Sequence, residues 1–242
     1  MQADEDIPCP AMTFASVAHV IRQTHNSVQF TDEYHAGSAY ELTGTRIWDC
    51  AHEIYRNMYI PGSMMCFSFY PNKVLSSCEG GAIALDNKNI VDWLRLARNN
   101  GRLKNTYYDY SIEFPGWKMK MTDMQAAIGR EQLKKLDTFN ARRKEIGDTY
   151  RNHFRQLNNG NYLFVISVEN REEFMRQMLA KGIELSYHYK PLYEQPAYKQ
   201  DSTAFPYLES IKNKIVTLPL YPAMTDQEVQ TVIKLTKQYA IT

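Results

Sequence analysis

Four short stretches of this 242-residue chain carry side chains able to do chemistry. The first is MCFSFYPNKVLSSCEGGAI, residues 65–83. An apolar run of strand formers breaks at Tyr70-Pro71-Asn72, delivers Lys73 and ends in a Glu-Gly-Gly turn. A lysine whose stem is packed and whose amine is desolvated has a lowered pKa and becomes nucleophilic toward carbonyls. Ser68, just upstream, has a hydroxyl able to donate to a phosphate from the same turn, and Gly80-Gly81 let the backbone turn tightly. Spacing alone favours the plainer reading, a surface lysine in a hairpin loop.

The second stretch is RIWDCAHEIY, residues 46–55. Asp49 ends an apolar run and His52 follows. The carboxyl end of a parallel strand is where open α/β sheets bind ligands. A carboxylate there can hold a protonated ring nitrogen, as in enzymes that use pyridoxal phosphate (PLP), with His52 touching the same ring. In isolation an Asx turn with an ordinary histidine is the plainer reading. The third is FPGWKMKMTDMQ, in which Lys118 and Lys120 alternate with Met119 and Met121. If the run is extended, both lysines face one way and suit an anion; a solvated basic face is the plainer reading. The fourth, SYHYKPLYEQPAY, is rich in aromatics and punctuated by proline, and suits either a ligand pocket or tyrosines packed on a core.

These side chains need elements to hold them. TFASVAHVIRQTHN has apolar residues at helical spacing behind Thr13, a capping residue. SVQFTD, TRIWDC, MMCFSFY and GAIALD read as buried strands, and NIVDWLRLARNNG as a helix ending at Gly101. TDMQ is a capping box that opens a long amphipathic helix at Thr122. Beyond Gly160, YLFVISV (strand), REEFMRQMLAKG (helix), IELSYHY and KIVTLPLYP (strands) and a second capped helix, TDQEVQTVIKLTKQYA, give a β-α-β-β-α order. The expected division is 1–144, an α/β domain, and 145–242, a small α+β subdomain.

With 28 basic and 27 acidic residues the net charge is +1, so no electrostatic footprint for nucleic acid exists. No apolar run approaches the roughly 20 residues of a membrane helix, and the acidic start does not have the form of a signal peptide. Cys9, Cys50, Cys66 and Cys78 show no CxxC spacing and the six histidines no zinc pattern, so we expect reduced thiols, no metal site and a cytoplasmic protein.

Taken in order, these segments resemble the DegT/DnrJ/EryC1/StrS family of PLP-dependent sugar aminotransferases. CFSFYPNKVLSSCEGGAIALDN is similar to its "SFxxxK…GEGG" motif and IWDCAHEIY to "EDAAH/Q". FPGWKMKMTDMQAAIGREQLKKLD is similar to "GxNxRMTDLQAAIGxxQLxKLD", HYKPLYEQPAY to "HYxPLHxQPxY", and LPLYPAMTDQEVQTVI to "LPLxPxLTDEEVxxVI". The resemblance implies an aspartate-aminotransferase-like three-layer α/β/α domain (PLP fold type I), here truncated, plus the small C-terminal subdomain. It implies an internal aldimine between Lys73 and PLP, Asp49 at the pyridinium nitrogen, His52 at the ring and Ser68 at the phosphate. His188 and Tyr189 would lie near a nucleotide-sugar substrate, with glutamate as the amino donor. Members are homodimers with shared active sites, the "GxNxR" segment reaching the partner's cofactor.

The departures shape the expectations further. The family's N-terminal helix and phosphate-cradling turn should precede DEDIPCP, and another helix and strand should lie between YEL and TRIWDC. Lys118 stands at the family's asparagine and Lys120 at its arginine. We therefore expect Lys118, from the partner subunit, to take over part of the phosphate contact, and Lys120 to serve the substrate. The alternative is a reduced, non-catalytic dimeric module that keeps the fold and binds a sugar nucleotide or a protein.

Overall fold

The computed structural model describes residues 5–104, 108–199 and 204–241. In chain order the elements are β1 (Asp6–Pro10), α1 (Ser16–Gln23), β2 (Ser27–Thr31), β3 (Tyr40–Leu42), β4 (Ile47–Asp49), β5 (Met64–Ser68), β6 (Gly81–Ala84) and α2 (Lys88–Ala97). There follow β7 (Arg102–Lys104), β8 (Tyr110–Ile112), α3 (Asp123–Arg151), β9 (Phe164–Ser167), α4 (Arg171–Ala180), α5 (Pro206–Ile211), β10 (Ile215–Leu218) and α6 (Asp226–Tyr239). The class is mixed α/β, with the strands distributed over several short sheets.

The chain forms two compact units, one of Met1–Thr45 with Leu136–Thr242 and one of Arg46–Lys135. This partition is drawn differently from the 144/145 boundary, because the first 45 residues share a core with the C-terminal part. In that discontinuous unit β1 and β2 pair in parallel, Cys9 opposite Phe30. Strands β9 and β10 pair antiparallel, Val165 opposite Thr217. Side chains alternate across a strand, and here both faces are covered. Val165 and Ile215 join a cluster with Cys9, Met12, Ile21 and Phe30, while Phe164, Ile166, Val216 and Leu218 join a second with Tyr150, Phe174 and Val232. Burial on two faces explains why both strands are apolar at all but one position each.

Two local expectations differ from the structure, and one pairing is new. IELSYHY forms no strand; its only strand-like pairing among the described residues is an isolated bridge between Ser186 and Thr217. Thr13 does not cap α1, which starts after Ala15 without a side-chain cap. The Thr13 hydroxyl is instead hydrogen-bonded to Tyr40 Oη at 2.7 Å. Leu103 and Tyr110 sit in a hairpin, β7–β8, that the sequence did not suggest.

In the second unit β4 runs parallel to β5, and β6 returns antiparallel to β5. Asn87 caps α2 by accepting from the N–H groups of Asn89 and Ile90. The expected capping box opens α3: Thr122 N–H donates to Gln125 Oε1 at 2.9 Å, and Gln125 N–H to Thr122 Oγ1 at 3.3 Å. Among the described residues no helix is long and apolar enough to cross a membrane.

Candidate active site

The site is built at the adjoining ends of β4 and β5. Asp49 pairs with Cys66, and Cys50 N–H extends the ladder to Cys66 O at 2.8 Å. The Asp49 carboxyl then accepts from Ala51 N–H at 2.9 Å. This is the Asx turn that the sequence allowed; it ends the strand and fixes the carboxyl's direction. His52 lies in the next turn, closed by Glu53 N–H to Cys50 O at 3.2 Å, and is half-buried.

After β5 the chain makes a loop that returns as β6. Ser68 opposes Gly81, and Ser68 Oγ accepts from Tyr70 N–H at 3.4 Å. Only glycine fits at 81, since a Cβ there would stand 2.5 Å from Phe67 O. Inside the loop Lys73 N–H donates to Tyr70 O at 3.0 Å, and the next two residues, Val74 and Leu75, are buried. They hold the backbone down, so the lysine stem is half-buried. Burial lowers the Lys73 pKa, while the nearby Asp49 carboxylate pulls it back up. The fold thus brings Asp49 and Lys73, 24 positions apart in sequence, into electrostatic contact. An amine more easily deprotonated than an ordinary lysine, beside a carboxyl group, suits condensation with a carbonyl and proton transfer next to it.

The thiols beside this site are less acidic than free cysteine. Burial, with Asp49 adding to it, pushes Cys50 up to about 12 and raises Cys66 as well. All four cysteines are unpaired with one another.

Lys118 and Lys120 lie in the same unit, exposed, on a strip running along the end of α2. Trp117 N–H donates to Ala97 O at 2.6 Å and Met119 N–H to Arg98 O at 2.9 Å, with Lys118 bridged to Asn99. Lys118 makes an isolated strand-like bridge, and the strip has no strand beyond it. His188 and Tyr189 belong to the other unit. There His188 Nδ1 is 2.8 Å from Thr217 Oγ1, Tyr34 Oη donates to His188 O at 2.6 Å, and the Tyr189 ring lies 6.1 Å from that of Phe14. The sequence reading missed Tyr34, whose tie to His188 spans residues far apart in the chain. It also missed Ser77, a buried hydroxyl that the serine pair in LSSCEGG could have flagged.

A family model described as the DegT/DnrJ/EryC1/StrS aminotransferase family matches residues 47–237. The chain is similar to the spore coat polysaccharide biosynthesis protein SpsC of Bacillus subtilis, 31% identical over 222 residues, or 77% of this chain and 57% of that protein. It is also similar to the UDP-4-amino-4,6-dideoxy-N-acetyl-beta-L-altrosamine transaminase of Campylobacter jejuni, 30% identical over 154 residues, or 55% of this chain and 40% of that protein. The chain thus spans 57% and 40% of the length of these curated relatives. Among solved structures, Spr1654 from Streptococcus pneumoniae matches with a TM-score of 0.86 in its PMP form, over 98% of this chain and 82% of that one, at 20% identity. Its PLP form gives 0.84, over 98% and 81%, also at 20% identity. This likeness shows the fold, that of the sugar aminotransferases of PLP fold type I.

Proposed function

The chain belongs to the DegT/DnrJ/EryC1/StrS aminotransferase family, and on that footing we propose a PLP-dependent aminotransferase. It converts a nucleotide-linked keto-sugar to an amino-sugar, with glutamate as amino donor, as a homodimer in the cytoplasm. The observation that carries this reading is the half-buried Lys73, its pKa lowered by burial, facing the Asp49 carboxylate at the ends of two parallel strands.

The side chains present fit the cofactor's needs. Lys73, Asp49, His52 and Ser68 would hold it, joined by Lys118 from the partner subunit. When bound, PLP supplies a carbonyl for amines and a ring that withdraws electrons. The chain's own groups do the rest. Lys73 Nζ, eased toward its neutral form, accepts and returns protons. Asp49, anchored by Ala51 N–H, presents an acceptor for a proton on a ring nitrogen. His52 would lie beside that ring and Ser68 Oγ would donate to phosphate; the resemblance assigns His188, Tyr189 and Lys120 to the sugar substrate.

The test is the absorbance spectrum of the purified protein with added PLP, followed by borohydride reduction and peptide mapping. A cofactor mass fixed on Lys73, and absent in Lys73→Ala, supports the reading; a protein that stays colourless and unmodified overturns it. One feature favours the second reading, a non-catalytic module. Leu42 is joined to Ile47 by only four residues, where the resemblance places a helix and a strand. Thermal shift with UDP-sugars, with and without PLP, separates the two: stabilisation by the sugar nucleotide alone favours the module.

A further inference from the structure

The loop that carries Lys73 is tied at its base by three hydrogen bonds that meet at two residues. Phe69 N–H donates to Gly80 O at 2.9 Å, and Phe69 O accepts from Ser77 N–H at 2.9 Å. Ser77 Oγ–H then donates to Glu79 O at 2.7 Å. Ser77 is completely buried. It sits close against two glycines: a Cβ on Gly80 would lie 3.1 Å from Ser77 Oγ, and one on Gly129 of α3 would lie 3.3 Å from Ser77 Cβ. The loop is therefore closed internally through Ser77 and seated on the first turns of α3 through the same side chain. Val74 and Leu75, buried between Lys73 and Ser77, pass that constraint along the backbone.

We propose that Ser77 is the positioning residue of Lys73, locking the loop so that the amine is held in its partly desolvated place. The inference rests on the reading that Lys73 is the reactive amine, and deepens it. A buried hydroxyl whose donor satisfies a loop carbonyl is costly to remove, because the carbonyl is left without its partner. Loosening the loop lets water reach the amine, and an amine that regains hydration is protonated more readily.

The experiment uses the full chain without cofactor. The rate of labelling of Lys73 by an amine-reactive reagent is followed against pH by mass spectrometry, with the exposed Lys88 as internal reference. In Ser77→Ala the Lys73 midpoint is expected to rise by about one pH unit, roughly tenfold less neutral amine at a fixed pH below it. Lys88 stays put. An unchanged midpoint in Ser77→Ala, or an equal shift of Lys88, overturns the proposal. Should Ser77→Ala fail to fold, Gly129→Ala decides. It removes no polar group and adds a better helix former, yet presses on Ser77 Cβ. The same upward shift is expected, and a wild-type midpoint overturns the proposal. Borohydride fixation of PLP on wild-type Lys73 is scored separately. Its failure counts against the aminotransferase reading and leaves the titration result standing, since the titration uses no cofactor.

Discussion

The Lys73 ammonium and the Asp49 carboxylate oppose the effect of burial, so removing the carboxylate has a definite sign. In Asp49→Asn the charged lysine loses its stabilising neighbour and its pKa falls further, which the pH profile of Lys73 labelling reads directly. The same depression links to stability. With the folded pKa below the unfolded 10.5, the unfolded chain holds the extra proton between the two values. The contribution of Lys73 to stability therefore grows as pH rises through that window. Urea midpoints of wild type should climb there relative to Lys73→Met. Cys78, in the Glu-Gly-Gly turn's approach, has φ +70, a left-handed conformation that costs a non-glycine residue about 1–2 kcal/mol. Cys78→Gly is expected to raise the free energy of unfolding, measured by urea denaturation, by about 1 kcal/mol, less what glycine gains in the unfolded chain. Lys73 itself was visible in the sequence, but its chemistry was not. Spacing alone favoured a surface loop lysine, because burial depends on Val74, Leu75 and a carboxyl from another strand.

Elements show a similar division. Strands β4, β5, β6, β9 and β10 and both capping boxes follow from local pattern, since apolar runs and reciprocal cap bonds are settled within a few residues; β6, read as buried, is nevertheless exposed from Gly81 to Ile83. At α6, Thr225 accepts from Glu228 N–H while Glu228 accepts from Thr225 N–H. Thr225→Ala should cost about 1 kcal/mol in chemical denaturation. IELSYHY has a strand's alternation, yet a strand needs a partner backbone in register, and only Ser186 meets one among the described residues. The β7–β8 hairpin was hidden for the converse reason. Its short strands carry little apolar pattern, and Gly101, whose added Cβ would fall 1.8 Å from Phe114 O, shows that backbone fit makes it. Backbone fit also governs β5–β6. Gly81→Ala drives a methyl group into Phe67 O and is expected to destabilise the protein by roughly 2 kcal/mol or more, measured by thermal or urea unfolding.

At the scale of the molecule, the unit holding the candidate site exposes Ile112, Trp117, Met119, Met124 and Ile128. A homodimer would cover such apolar surface. Sedimentation at micromolar concentration is expected to give a dimer, and Ile128→Glu a lighter species; a wild-type monomer would contradict the proposed assembly. The larger unit carries a different consequence, in the order of synthesis. Cys9, Met12, Ile21 and Phe30 share their cluster with Leu163, Val165, Leu208 and Ile215. On the ribosome the first group emerges before the second, and the whole of Arg46–Lys135 is translated in between. At about 5–20 residues per second that wait is on the order of ten seconds or more. The nascent N-terminal segment spends it with a greasy face uncovered, a natural substrate for chaperones that shield apolar segments until the distant strands arrive.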